Sequence, residues 1–176
     1  MPEREEIVAA IVDAAGGELV SRIRLQKIAY LLDQLGLESN FEYQYFHYGP
    51  YSRDLDNAVA DAEAFNLIEE HFGSRKSDGA RYSIFHLKTK PTHSSFGKID
   101  DDRARRLAQT FSKTNVTVLE LAATVHWLCF KENRKDWSAE IVKRKGAKTR
   151  DGRLEKAIEL LASLELAPQA HTVGKS

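Results

Sequence analysis

The chain has 176 residues, 42% hydrophobic and 30% charged, enough for one substantial core and too few for two full domains. Its 26 Lys and Arg balance 26 Asp and Glu, and zero net charge argues against a dedicated nucleic-acid binder, which carries a basic excess to neutralise phosphates. No run approaches the roughly 18–20 apolar residues of a membrane helix, the start Met-Pro-Glu-Arg-Glu-Glu lacks the basic-then-apolar pattern of a signal peptide, and Cys129 is the only cysteine, so a cytoplasmic chain without membrane segment or internal disulfide is expected.

The neutral average hides an asymmetry. Residues 1–70 hold five basic and fourteen acidic side chains, while residues 71–176 hold 21 and 12. Each half presents its own field to a partner.

In chain order, Glu3 to Ala15 reads as a helix, with Ile7, Val8, Ile11 and Val12 at helical spacing and Gly16-Gly17 as the stop. Ser21 to Leu35 is the clearest helix: Ile23, Ile28, Leu31, Leu32 and Leu35 build a stripe, Ser21 is the expected N-cap and Gly36 the terminator. Phe41 to Tyr48, aromatic and at first alternating, predicts a strand. Gly49-Pro50 predicts the turn that ends it, and a helix from Tyr51 or Ser52 to about Asn66 follows, with Leu55, Val59, Ala62 and Phe65 expected to face inward. Leu67 to Leu87 reads as a β-hairpin with a mobile polar tip at 73–79.

Thr89 to Lys98 is an aperiodic connector. Beyond it lie a surface helix at Asp101 to Ser112, a buried helix at Val116 to Phe130 and a short helix at Trp137 to Lys143. A basic loop at 143–148 and a last helix at about 151–164 complete the order. The expected fold class is mainly α with a small β-hairpin (α+β): a winged-helix-like N-terminal part at 1–88, a connector at 89–100, a C-terminal helical part at 101–166 packed with the first, and a flexible tail at 167–176.

The order helix, helix, strand, helix, hairpin is similar to a winged-helix domain, with a strand where a tight turn would sit. The segment Leu25-Gln26-Lys27-Ile28-Ala29-Tyr30-Leu31-Leu32, followed by Phe46-His47-Tyr48-Gly49-Pro50-Tyr51-Ser52, resembles the YwgA family of small prokaryotic proteins. It resembles more distantly the Panacea or SocA-like antitoxin domain. The likeness spans residues 5–88 and reaches Leu119-Glu120-Leu121-Ala122-Ala123-Thr124. It implies a non-enzymatic role: neutralising a toxin, delivering it to a protease, or regulating transcription.

Two functions follow as expectations. The first is an antitoxin or adaptor that contacts a protein partner, a toxin or a protease, through the acidic half at Tyr48, Gly49, Pro50, Tyr51, Ser52, Asp54 and Asp56, where rigid aromatic residues offer low-entropy contacts. The second is a DNA-binding regulator using Arg75, Lys76 and Arg81 of the hairpin together with Lys143, Arg144, Lys145, Lys148 and Arg150, aided by Arg22, Arg24 and Lys27. Against groove reading stands the helix after Ser52, whose acidic face repels phosphate. A homodimer is a further possibility.

Chemistry leaves fewer marks. The histidines at 47, 71, 86, 93, 126 and 171 include no pair at ligand spacing beside His126 and Cys129, so no metal or cofactor is expected. No Gly-x-Ser-x-Gly or His-Glu-x-x-His occurs, so no enzyme is expected. Gly174-Lys175-Ser176 lacks the upstream glycine of a phosphate loop, and Asp100-Asp101-Asp102 reads as a helix cap.

Overall fold

A computed structural model describes residues 2–92 and 96–168. His93, His171, the Gly174-Lys175-Ser176 sequence and nearly all of the expected tail lie outside these described residues. The described chain is mainly helical with small antiparallel sheets, as the sequence predicts. None of its helices is long and apolar enough to cross a membrane.

Two compact units are formed, Met1–Gln44 with Tyr51–Thr114, and Tyr45–Pro50 with Asn115–Ser176. The division falls after Thr114 rather than in the connector at 89–100, and the short 45–50 segment belongs with the second unit.

In the first unit α1 (Arg4–Ala14) buries Ile7, Val8, Ile11 and Val12, the stripe its spacing predicts. Strand β1 (Glu18–Val20) leads to α2 (Arg22–Gln34), capped by Ser21, whose hydroxyl accepts the Arg24 N–H. α3 (Arg53–Ala64) is capped by Ser52 in the same way, through the Leu55 N–H, and buries Leu55, Val59 and Ala62; Phe65, expected to face inward, lies at the C-cap past the helix end and is exposed. β4 (Ile68–Ser74) and β5 (Arg81–Leu87) form the predicted hairpin, and β1 joins it in the antiparallel order β1-β5-β4 with Leu19 opposite Phe85. β1 escapes sequence reading because three residues cannot show alternation; pairing with β5 creates it. α4 (Asp101–Lys113) buries only Ala104, Ala108 and Phe111, and Asp100 caps it through the Arg103 N–H.

The second unit is built on α5 (Val116–Phe130), buried on nearly all sides and packed by α6 (Trp137–Lys145) and α7 (Arg153–Ser163). The segment 143–148 is not the expected loop. It is the last turn of α6, which runs two residues past the expected end to the buried Lys145, followed by a 3₁₀ turn, Gly146–Thr149.

The expected strand over Phe41 to Tyr48 shrinks to β2 (Gln44–Phe46), paired with β3 (Gly49–Tyr51). The turn lies at His47-Tyr48, and Gly49-Pro50 opens the return strand. Pro50 is tolerated because both strands of a two-stranded ladder are edges. Gly49 takes φ +90°, a conformation that favours glycine.

Candidate functional site

The site begins with one carboxylate. Glu120 lies inside apolar α5, 3% exposed, where an ionised group needs partners. Lys145, on the end of α6, supplies one at 2.9 Å, with both side chains almost wholly buried. Lys148, on the 3₁₀ turn, supplies the second at 3.0 Å to each carboxylate oxygen.

The same lysines reach the β2–β3 turn. The Lys145 ammonium donates to the His47 carbonyl at 3.1 Å, and that of Lys148 stands 4.9 Å from the centre of the Tyr48 ring. Gly49 completes the seat, since a Cβ there would lie 2.5 Å from Thr124 Oγ1. The turn is anchored from beneath while its aromatic side chains remain outside: Phe46 and Tyr48 are each 49% exposed.

A second cationic group walls the turn. Arg144 lies 4.7 Å over the Tyr45 ring, forks onto Glu132 through two bonds of 2.8 and 2.9 Å, and donates to Glu140 at 2.7 Å. Glu132 also accepts from Trp127 Nε1 and Arg134 Nε. The Arg144 guanidinium, with these other donors, lowers the Glu132 carboxyl to about 2. The hydrogen bonds it donates to Glu132 foremost raise Arg144 above the usual guanidinium range, and burial raises the Tyr45 hydroxyl. Between turn and helix opens a groove of about 400 Å³ lined by Tyr45, Phe46, His47, Arg144 and Lys145.

The residues singled out from sequence are dispersed. Of the expected protein-contact set, Tyr48 is exposed, whereas Gly49, Pro50 and Ser52 are buried. Tyr51 donates to Asp56, which also takes Arg22 at 3.2 Å, and Asp54 accepts the Glu42 N–H and pairs with Arg4. Tyr48, Gly49 and Pro50 fall in the second unit; Tyr51, Ser52, Asp54 and Asp56 fall in the first.

Of the expected phosphate contacts, Lys27 is 1% exposed and Lys145 8%, so neither is a surface cation. Arg22 is spent on Glu70 and Asp56, Arg24 on the Val20 and Thr114 carbonyls, and Arg75 on Asp78. Arg81 lies over the Phe72 ring. Lys76, Lys143 and Arg150 are exposed. The structure gathers Arg144, Lys145 and Lys148 and adds Tyr45, Phe46, His47, Glu120 and Glu132, which sequence reasoning missed. A signal existed: a lone Glu within the apolar helix Val116–Phe130 demands a buried cation.

Elsewhere, the Asp33 carboxylate accepts from the Ser39 N–H and hydroxyl and from the Tyr43 hydroxyl, a fully engaged structural group. A cavity of about 430 Å³ is lined by Cys129, Phe130 and Trp137 among others. Burial pushes the Cys129 thiol up to about 12, which keeps it protonated and unreactive at neutral pH. No cluster of three or more His, Cys, Asp or Glu among the described residues is arranged to hold a metal.

No family model matches the chain. It is similar to a DNA ADP-ribosyl glycohydrolase of Thermus aquaticus, 28% identical over 131 residues, covering 70% of this chain and 34% of that protein. The chain thus spans about a third of the length of the curated relative it matches. The match corrects the expectation of a non-enzymatic antitoxin or adaptor, because the relative is by its name a hydrolase. It lends nothing to the transcriptional-regulator alternative either.

Proposed function

We propose that this chain acts in the removal of ADP-ribose from DNA, as part of a hydrolase of the ADP-ribosyl–DNA linkage. The similarity to the Thermus aquaticus glycohydrolase carries this reading. The groove beside α6 supports it, because its chemistry suits a nucleotide. ADP-ribose offers an adenine ring and a diphosphate; Tyr45, Phe46 and His47 offer aromatic faces, and Arg144 offers a cationic guanidinium.

Arg144 is already held by Glu132 and Glu140, so it is fixed in place before any ligand arrives. Fixed donors add selectivity at little cost in reorganisation. Hydrolysis places the hydroxyl of water on the anomeric carbon and a proton on the DNA atom that leaves. Holding the nucleotide still while water attacks is where such a groove assists. Incubation with an oligonucleotide bearing one ADP-ribose tests the reading: free ADP-ribose and unmodified strand are the expected products, and an unaltered substrate at high protein concentration contradicts it.

A further inference from the structure

We infer that the turn between β2 and β3 is a stacking platform for unpaired bases, so that the nucleic acid this chain contacts is single-stranded. The inference rests on the hydrolase reading for its ligand class and deepens it by naming the form of the DNA.

Three consecutive aromatic side chains occupy the turn. Phe46 and His47 lie ring to ring, centroids 5.6 Å apart and 5° from parallel, and Phe46 and Tyr48 each leave about half their surface to solvent, 49%. Exposed large aromatic rings carry a cost in water, which a base laid on them removes. Every base has a π face, so the gain does not depend on sequence. In a duplex the faces are stacked on neighbouring pairs and out of reach.

The backbone beneath is fixed rather than loose. Lys145 ties the His47 carbonyl, Gly49 is seated against Thr124, and the two lysines share the buried Glu120. A platform that is already rigid loses little entropy when a base lands on it.

Charge favours the same ligand. The stretch from Trp137 to Arg153, which supplies the lysines under the turn, carries Lys143, Arg144, Lys145, Lys148, Arg150 and Arg153 against Glu140 and Asp151. Glu120 and Glu132 take up part of that excess. Lys143 and Arg150 are exposed and add a field that draws a phosphate backbone. Aromatic faces beside a basic segment are the pairing that single strands require.

The test uses an unmodified, fluorescently labelled single strand and the intact chain, so its outcome does not depend on any glycosidic bond being cleaved. Anisotropy is expected to show binding that weakens with salt and is at least tenfold weaker for a hairpin duplex of the same sequence. A Phe46→Ala, Tyr48→Ala double variant should lose roughly tenfold or more in affinity, with an unchanged melting temperature showing that it folds. Phe46→Trp should keep affinity and report stacking directly, by quenching of the new indole as the strand is added; the native Trp127 and Trp137 background is subtracted with the parent chain. Absence of single-strand binding, equal affinity for the duplex, or an unaffected double variant overturns the platform. Release of ADP-ribose without any such effect would leave the hydrolase reading standing and this one refuted.

Discussion

The Gln26 side-chain amide closes a two-bond ring with the backbone of Ser52: its oxygen accepts the Ser52 N–H at 2.8 Å and its nitrogen donates to the Ser52 carbonyl at 2.9 Å. Ser52 is the N-cap of α3, so one buried glutamine on α2 fixes where the next helix starts. Without it the Ser52 N–H would be left unsatisfied in the interior, at about 1–3 kcal/mol, while the Ser52 carbonyl would keep only the 3.4 Å bond from the Asp56 N–H. Gln26→Ala is expected to lower the unfolding free energy by about 1–3 kcal/mol, read by urea denaturation. A shift below 0.5 kcal/mol would mean that water replaces the amide.

Gly49 is the second fixed point. Its φ of +90° and the nearness of Thr124 give Gly49→Ala two separate penalties, backbone strain and a steric contact. We expect a loss of about 1–3 kcal/mol, only part of which Thr124→Ala recovers, since that change clears the contact and leaves the dihedral. Full recovery in the double variant, measured by thermal melting, would show that the dihedral carries no strain.

Glu132 gives the chain an acid limit. Its carboxyl is held at about 2 by Arg144 and its other donors, below the ordinary glutamate value. A depressed folded-state value means that the contribution is complete above the unfolded value, near 4.3, and fades as pH falls through about 2. Glu132→Gln should be less stable than the parent at pH 7 and converge on it as pH approaches 2. A constant gap between the two melting curves from pH 7 to 2.5 would contradict this.

His126 acts in a milder range. Burial in α5 lowers its imidazole to about 4, while the unfolded chain protonates near 6.5. As pH drops from 6.5 to 4 the unfolded state takes up the proton first, so stability is lost across that window and the loss ends below it. His126→Leu should remove this part of the slope, seen as a flatter melting temperature between pH 6.5 and 4. An identical slope would place the titration on other groups.

Much of the fold is legible in the residues themselves. The helix Val116–Phe130 is found from its apolar run, and the hairpin from two β-rich stretches around a polar tip, because local pattern and final burial agree there. The site was less legible. Tyr45, Phe46 and His47 read as strand residues, since nothing in an aromatic run tells which rings will turn outward. Lys145 read as loop because its partner Glu120 is on another helix, and pairing across the core leaves no periodicity. Conversely, Lys27 read as a surface cation from its charge alone, whereas it is buried with the whole run Leu25 to Leu32 of α2.

The central claim is tested most directly by the mass of a single-stranded oligonucleotide carrying one ADP-ribose, followed over time with the intact chain and with a Tyr45→Ala variant that opens the groove wall. With the parent chain the strand is expected to lose one ADP-ribosyl group and return to its unmodified mass, and with the variant to do so more slowly. A substrate mass that never changes with the parent chain, under conditions where the protein is folded, would contradict it.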